Sequence, residues 1–190
     1  MSRKDIPNLI SILRIILVVP IVYFLLKGDY PVALVFFVVA GLSDALDGFL
    51  AKRFGWTSRL GSLLDPLADK FLLVSCFLVF VFIGLMPIWL FAIILLRDLI
   101  VAFGALLYHF RVEKFNGEPP FSSKLNTTFQ IVYLVMLISS QGIIDVPLGW
   151  MNIVLFAVAA TTMISGLEYI WVWGLKAWNA KLKEQNAQQQ

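Results

Sequence analysis

The segment SDALDGFLAKRFGWTSRLGSLLDPLADK, residues 43–70, places four aspartates between two long apolar runs. Asp44 and Asp47 are three residues apart and Asp65 and Asp69 are four apart, so each pair lies on one face of a helix. The first pair ends one apolar run, the second begins the next, and a short polar stretch joins them. We therefore expect all four carboxylates to lie at one end of a helix pair.

Comparable apolar runs fill the rest of the chain. Of its 190 residues, 60% are hydrophobic and 14% charged, whereas soluble domains average about 45–50% apolar and about 25% charged residues. A hydrocarbon core about 30 Å thick requires roughly 20 apolar residues of helix. The sequence therefore predicts an all-α, polytopic membrane protein with six transmembrane helices. The predicted spans are residues 6–26, 31–51, 63–85, 88–109, 125–144 and 148–173. Together they form one membrane domain, residues 1–180, followed by a polar tail, residues 181–190.

The distribution of basic residues predicts the orientation, because Lys and Arg near helix ends are retained on the cytoplasmic side. With the N-terminus inside, eleven Lys and Arg residues fall on the inner side and Lys27 alone falls on the outer turns. We expect a multi-pass protein with both termini and the aspartates on the cytoplasmic side. The net charge of only +3 gives no basic patch, so no nucleic-acid partner is expected.

The four aspartates predict a metal site. Ionisable groups at membrane depth cost several kcal/mol unless they are paired, solvated or bound to a cation. Four neighbouring carboxylates repel one another, which favours one or two hard divalent ions, Mg²⁺ or Mn²⁺. Oxygen ligands without His or Cys argue against zinc, copper or iron. The alternative is an interfacial ion network in which the carboxylates pair with Lys52, Arg53, Arg59 and Lys70.

The spacing of this segment resembles a family signature. Residues 44–69 read as Asp, two residues, Asp-Gly, two residues, Ala, a basic residue, eight residues, Gly, three residues, Asp, three residues, Asp. This pattern is similar to that of the CDP-alcohol phosphatidyltransferases. Lys52 stands where the family usually has Arg, which keeps the charge but loses the planar guanidinium. The N-terminal IPNLISILR, residues 6–14, and the six-span plan also resemble the family.

The resemblance implies an enzyme that transfers the phosphatidyl group of CDP-diacylglycerol to an alcohol and releases CMP. It implies that Asp44, Asp47 and Asp65 hold divalent ions on the pyrophosphate. It makes Asp69 the general base and a further candidate ligand. It also suggests a homodimer in a bacterial inner membrane. The residues expected to contact the CDP-lipid are Gly48, Ala51, Lys52, Arg59, Gly61, Asn8 and Arg14.

The acceptor alcohol is indicated by a second segment. PPFSSKLNTTFQ, residues 119–130, is similar to a segment of CMP-forming cardiolipin synthases, which favours phosphatidylglycerol as the acceptor. LDPLADK, residues 64–70, is shared with phosphatidylglycerophosphate synthases, so glycerol 3-phosphate stays an alternative. Both acceptors are anionic, and Arg97, Arg111 and Lys124 are candidate contacts to their phosphates.

The sequence also allows two other interpretations. Residues 119–130 could be an ordinary helix start, with Ser122 or Ser123 as the N-cap. The membrane carboxylates could belong to a cation channel or metal transporter. A pathway for ions needs polar groups at successive depths, however, and the aspartates cluster at one surface.

Overall fold

The computed structural model describes residues 6–54, 61–111 and 121–188, and it gives the surroundings of most of their side chains. This part of the chain contains six α-helices and no β-strand, which confirms the all-α prediction. The helices are α1 (Ile6–Lys27), α2 (Tyr30–Phe54), α3 (Gly61–Phe82), α4 (Ile88–Arg111), α5 (Phe121–Ser139) and α6 (Leu148–Gln188).

Two helical segments within the described residues are long and apolar enough to cross a membrane. They are Leu9–Lys27, with a mean hydropathy of 2.7, and Leu148–Trp171, with a mean hydropathy of 1.8. Large apolar side chains such as Val19 and Phe156 are exposed along both segments. Such faces suit contact with lipid, in which apolar side chains are the favoured surface. The arrangement of all six helices as spans stays a prediction.

Glycines in the left-handed conformation end two of the helices. Gly28 has φ 80°, and its N–H donates to the Leu25 carbonyl oxygen at 3.2 Å while the Asp29 N–H donates to Phe24 at 2.9 Å. These are the paired bonds of a Schellman motif, which satisfies carbonyls at the helix end. Gly84, with φ 77°, ends α3 in the same way.

Several helix boundaries differ from the predicted spans. Helix α3 ends at Phe82, three residues before the predicted limit, because the turn at Gly84 closes it. Helix α5 begins four residues earlier than predicted. Its first turn is polar, so the apolar run that predicted the span did not include it. Helix α6 continues to Gln188, because Ala, Lys, Leu, Glu and Gln all favour helix.

The chain divides into two compact units. The first contains Met1–Ile88 and Ile131–Asn152, and the second contains Trp89–Gln130 and Ile153–Gln190. In the first unit, α1 packs against α2 and α3. The core of each unit is formed by buried apolar side chains.

The buried face of α1 is a stripe at alternating spacings of three and four residues. Its members are Ser11, Arg14, Val18, Ile21 and Leu25, all of which are buried. This spacing keeps side chains on one side of a helix. Arg14 thus points into the first unit together with the apolar residues.

Matching stripes run along the two partner helices. On α2, the buried residues Ala33, Phe37 and Ala40 are followed one turn later by Asp44. On α3, Asp69 precedes Leu73, Cys76 and Phe80, which are buried at the same alternating spacing. All three inward stripes of the first unit therefore include a charged residue.

The conformation of Gly28 yields a stability prediction. Gly28→Ala should lower the free energy of unfolding by about 1 kcal/mol, because an L-residue at positive φ is strained. Gly41→Ala is the matched control, since Gly41 lies inside α2 and a Cβ there would meet no atom within 4 Å. Unfolding of the detergent-solubilised chain, followed by circular dichroism, measures both. Equal stabilities of the two variants would contradict the assignment of Gly28 as a helix-ending residue.

Candidate functional site

The three charged residues of the inward stripes meet in the first unit. Arg14 Nη1 lies 2.7 Å from Asp44 Oδ1, and the same nitrogen donates a hydrogen bond to Asp69 Oδ1. The contact joins α1, α2 and α3. The carboxylates of Asp44 and Asp69, which the sequence predicted to lie together, are thus brought to one cation.

Exposure differs sharply between the partners. The Arg14 side chain is 1% exposed, whereas those of Asp44 and Asp69 are 46% and 43% exposed. The guanidinium therefore approaches the carboxylates from inside the unit, and part of each carboxylate remains accessible. An accessible pair of carboxylates on two helices can bind a hard cation or a positively charged ligand.

Many of the other residues predicted for this site lie outside what the structure describes. Arg59 falls in an undescribed part of the chain, and helix backbone alone is described for Asn8, Asp47, Ala51, Lys52, Gly61 and Asp65. Gly48 is described and exposed, and a Cβ built there would meet no atom within 4 Å. Gly48 thus leaves open space one turn from Asp44.

The described carboxylates fit the chemistry expected of a magnesium or manganese site. Mg²⁺ and Mn²⁺ prefer oxygen ligands, and Asp44 and Asp69 supply them from two helices. Among the side chains that the structure describes, no three His, Cys, Asp or Glu residues gather as a metal site. The two further ligands predicted from sequence, Asp47 and Asp65, are not among those side chains.

A second polar cluster surrounds Arg97 in the second unit. Arg97 Nη1 lies 2.9 Å from Asp98 Oδ1, and Nη2 donates to Ser123 Oγ at 2.6 Å and to Ser165 Oγ at 2.7 Å. Nε also donates to Ser165, at 3.3 Å, and the guanidinium lies 5.5 Å from the centre of the Tyr169 ring. These contacts link α4 to α5 and α6 and use four of the five N–H groups that an arginine offers.

The polar residues at the start of α5 face α6. Ser122 Oγ donates to a carboxylate oxygen of Glu168, and Thr162 Oγ1 donates to Asn126 Oδ1 at 2.8 Å. Helix α5 begins at Phe121, so Ser122 and Ser123 lie inside its first turn, and their described side-chain contacts are to other helices. The alternative interpretation of either serine as the N-cap is therefore wrong.

Two amides on α5 retain unused hydrogen-bonding capacity. Asn126 and Gln130 are both fully buried, and they lie four residues apart on one face of the helix. Asn126 Nδ2 and both amide atoms of Gln130 have no hydrogen-bond partner within the described residues. Such groups cost about 1–3 kcal/mol when buried unsatisfied, so this face favours a polar ligand or water.

The other two residues predicted to contact the acceptor are Lys124 and Arg111. Lys124 is exposed on the first turn of α5, where its ammonium is accessible. Arg111 ends α4, and its side chain lies outside the described part. Of the two predicted acceptor contacts whose side chains the structure describes, Arg97 is buried with its own protein partners and Lys124 is exposed.

Sequence reasoning assigned no function to the residues of α6 that contact Arg97 and the polar residues of α5. Thr161, Ser165 and Glu168 recur at spacings of four and three residues, and Thr162 and Tyr169 flank them. A polar stripe at helical spacing inside an apolar helix is the signal that could have found them, because such residues normally face other protein groups in a membrane.

Comparisons with known proteins agree on one family. A sequence model described as CDP-alcohol phosphatidyltransferase matches residues 4–165. "Cardiolipin synthase (CMP-forming)" of Rattus norvegicus is 32% identical over 180 residues, which cover 86% of this chain and 60% of the relative. "CDP-diacylglycerol--glycerol-3-phosphate 3-phosphatidyltransferase" of Aquifex aeolicus is 36% identical over 145 residues, 75% of this chain and 78% of the relative.

A cardiolipin synthase of the same description from Homo sapiens is 31% identical over 180 residues. The chain spans about 60% of the length of the rat and human relatives that it matches. Its similarity to the Aquifex aeolicus protein covers more than three quarters of that relative, 78%.

The contacts of Arg97 predict a structural cost of its removal. Arg97→Gln should lower the free energy of unfolding by about 3 kcal/mol or more, because it removes the cation beside Asp98 and several hydrogen bonds between helices. Lys124→Gln, at an exposed site, should change stability by less than about 0.5 kcal/mol. Thermal unfolding of both purified variants in detergent provides the comparison. A stability of Arg97→Gln equal to that of Lys124→Gln would contradict the interhelical role.

Proposed function

Because the chain belongs to the CDP-alcohol phosphatidyltransferase family, we propose that it transfers the phosphatidyl group of CDP-diacylglycerol to an anionic glycerol-type alcohol with release of CMP. The observation that carries this proposal is the meeting of Asp44 of α2 and Asp69 of α3 at Arg14 of α1. Both residues occupy aspartate positions of the family signature. Their carboxylates are partly exposed, as a site that receives a soluble headgroup requires.

The proposed metal ligands are Asp44, Asp47 and Asp65, with Asp69 as a further ligand, holding two Mg²⁺ or Mn²⁺ ions. When bound, divalent ions would neutralise the pyrophosphate and the negative charge of departing CMP. The described oxygens of Asp44 and Asp69 suit these ions in type and accessibility.

Asp69 is the proposed general base. Its carboxylate accepts the proton of the acceptor hydroxyl while that oxygen attacks the phosphorus of the phosphatidyl group. The new phosphorus–oxygen bond forms as the bond from the phosphatidyl phosphorus to the bridging pyrophosphate oxygen breaks, so the phosphatidyl group passes from CMP to the acceptor alcohol. Asp69 and Asp44 both contact the Arg14 guanidinium, which supports a base close to one proposed metal ligand.

The CDP-lipid is proposed to contact residues along the signature and at the start of α1. The open space at Gly48 supports a close approach of the nucleotide. Cations of this set would contact phosphates, as Lys and Arg commonly do. The proposed contacts are Gly48, Ala51, Lys52, Arg59, Gly61, Asn8 and Arg14.

We propose phosphatidylglycerol as the acceptor, which would make cardiolipin the product. The support is the resemblance of residues 119–130 to cardiolipin synthases and the 86% coverage of this chain by the rat relative. The buried amides of Asn126 and Gln130 in this segment supply groups that could bind acceptor hydroxyls. Lys124, Arg111 and Arg97 are the cations proposed to contact the acceptor phosphate.

Glycerol 3-phosphate is the second candidate acceptor. The 36% identity to the Aquifex aeolicus protein favours it, and the shared LDPLADK segment does not separate the two acceptors. The alternative of a cation channel or metal transporter receives no support from the family match, which covers residues 4–165.

The proposed setting is a membrane, crossed six times, with the active site and both termini on the cytoplasmic side. The excess of Lys and Arg on one side of the spans supports this orientation. We further propose a homodimer in a bacterial inner membrane, as the family resemblance suggests. Membrane lipids would then surround the exposed apolar faces of the helices.

Product identification tests the acceptor. Purified protein with CDP-diacylglycerol and Mg²⁺ should release CMP and form cardiolipin when phosphatidylglycerol is added, because that acceptor supplies the attacking hydroxyl. Glycerol 3-phosphate should give much less product. Mass spectrometry of the extracted lipids measures both. Formation of phosphatidylglycerophosphate alone would establish the second candidate, and no CMP release with either acceptor would overturn the proposal as a whole.

Substitutions of the aspartates test their separate roles. Asp44→Asn should weaken Mn²⁺ binding, because it removes a charged ligand. Asp69→Asn should reduce turnover by about 10²-fold or more while leaving most Mn²⁺ binding. Asp145→Asn, an exposed residue in the turn after α5, is the matched control and should change neither quantity. Loss of Mn²⁺ binding in Asp69→Asn without a specific loss of turnover would make Asp69 a ligand instead of a base.

A further inference from the structure

Arg14 sits where an isolated cation would be costly. It lies in the apolar segment Leu9–Lys27 and is fully buried in the inward stripe of α1. A charged side chain in such a place requires anionic or polar partners. Asp44 and Asp69 supply two such anions.

Arg14 contacts one oxygen of each of two carboxylates that are proposed to hold a divalent ion. Its Nη1 approaches Oδ1 of Asp44 at 2.7 Å and donates to Oδ1 of Asp69. A guanidinium and a divalent ion on the same pair of carboxylates would repel each other and share a limited number of lone pairs. Binding of one cation therefore opposes binding of the other.

The guanidinium and an incoming divalent ion would reach the two carboxylates from different sides, which suits exchange of one cation for the other. Arg14 reaches the carboxylates from the buried side, whereas both carboxylates are more than two fifths exposed, 46% and 43%. An incoming ion can therefore reach these carboxylates without first passing through the packed stripe of α1.

We propose that Arg14 is an internal counter-cation that competes with a divalent ion for the carboxylates of Asp44 and Asp69. Resting on the proposed metal site, the inference assigns Arg14 a second task besides contact with the CDP-lipid. Its guanidinium neutralises the carboxylates and lowers their affinity for the ion. When the ion binds, the guanidinium gives up these oxygens and becomes available to an anionic phosphate.

Two roles for Arg14, competition with the ion and positioning of the carboxylates, predict opposite changes in metal affinity when Arg14 is replaced. If Arg14 only held the carboxylates in position, its removal would weaken ion binding. If it competes, its removal should strengthen binding, because one positive charge leaves the immediate surroundings of the ion. Arg14→Gln removes the charge and keeps a hydrogen-bond donor, and Arg14→Lys is the matched control that keeps the charge.

The experiment measures Mn²⁺ binding to the detergent-purified full chain without substrate, by the electron paramagnetic resonance signal of free Mn²⁺. Arg14→Gln should bind Mn²⁺ about tenfold or more tightly than the wild type, and Arg14→Lys should stay close to the wild type. Equal or weaker binding by Arg14→Gln would overturn the proposal. Asp44→Asn tests the proposed metal site separately from the role of Arg14. Unchanged Mn²⁺ binding by this variant would contradict the metal site itself.

A measurement on the wild-type protein keeps the test decisive if Arg14→Gln does not fold. In protein labelled with ¹⁵N-arginine, the side-chain signal of Arg14 is identified by its absence from the spectrum of Arg14→Lys. Addition of Mg²⁺ should shift this signal and speed its hydrogen exchange with solvent, because the guanidinium leaves its two carboxylates. A signal unchanged at Mg²⁺ concentrations that saturate the protein would overturn the exchange.

Discussion

The contact of one buried guanidinium with two carboxylates organises the first unit. Arg14 belongs to the packed face of α1, and Asp44 and Asp69 continue the packed faces of α2 and α3. The apolar stripes fix how the helices approach one another, and the charges fix where along the helices they meet. Because a charge in this position is stable only with its partners, the packing of three helices and the geometry of the site depend on the same contact.

The two buried arginines are held in different ways. Arg14 is paired with carboxylates that are partly exposed, so its partners remain open to other cations. Arg97 is 4% exposed, and its hydrogen bonds go to Asp98 and to serine hydroxyls on α5 and α6. The contacts of Arg14 suit a site at which one bound cation can replace another. The contacts of Arg97 suit a fixed connection between helices.

Much of this arrangement follows from sequence patterns. The composition predicted helices, and the family inferred from residues 44–69 is confirmed by the match over residues 4–165. Helical spacing predicted that Asp44 and Asp69 would lie close together. The partners of the arginines could not be predicted, because Arg14 meets Asp69 across 55 residues and Arg97 meets Ser165 across 68. Such contacts depend on how helices pack. Charge alone suggested an acceptor contact for Arg97, and its hydroxyl partners Ser123 on α5 and Ser165 on α6 carry no charge to reveal them.

The separation of Arg14 from its partners also affects how the chain is made. Helix α1 leaves the ribosome before α3, because Asp69 follows Arg14 by 55 residues, which take about 3–11 s to synthesise at the usual 5–20 residues per second. An arginine near the middle of a lone membrane helix costs about 2.5–3.5 kcal/mol on insertion. During this interval Arg14 lacks its Asp69 partner, and we expect it to stay near water or lipid headgroups. Packing of the buried Arg14 is therefore coupled to the synthesis of α3, and we expect α1, α2 and α3 to mature as one group.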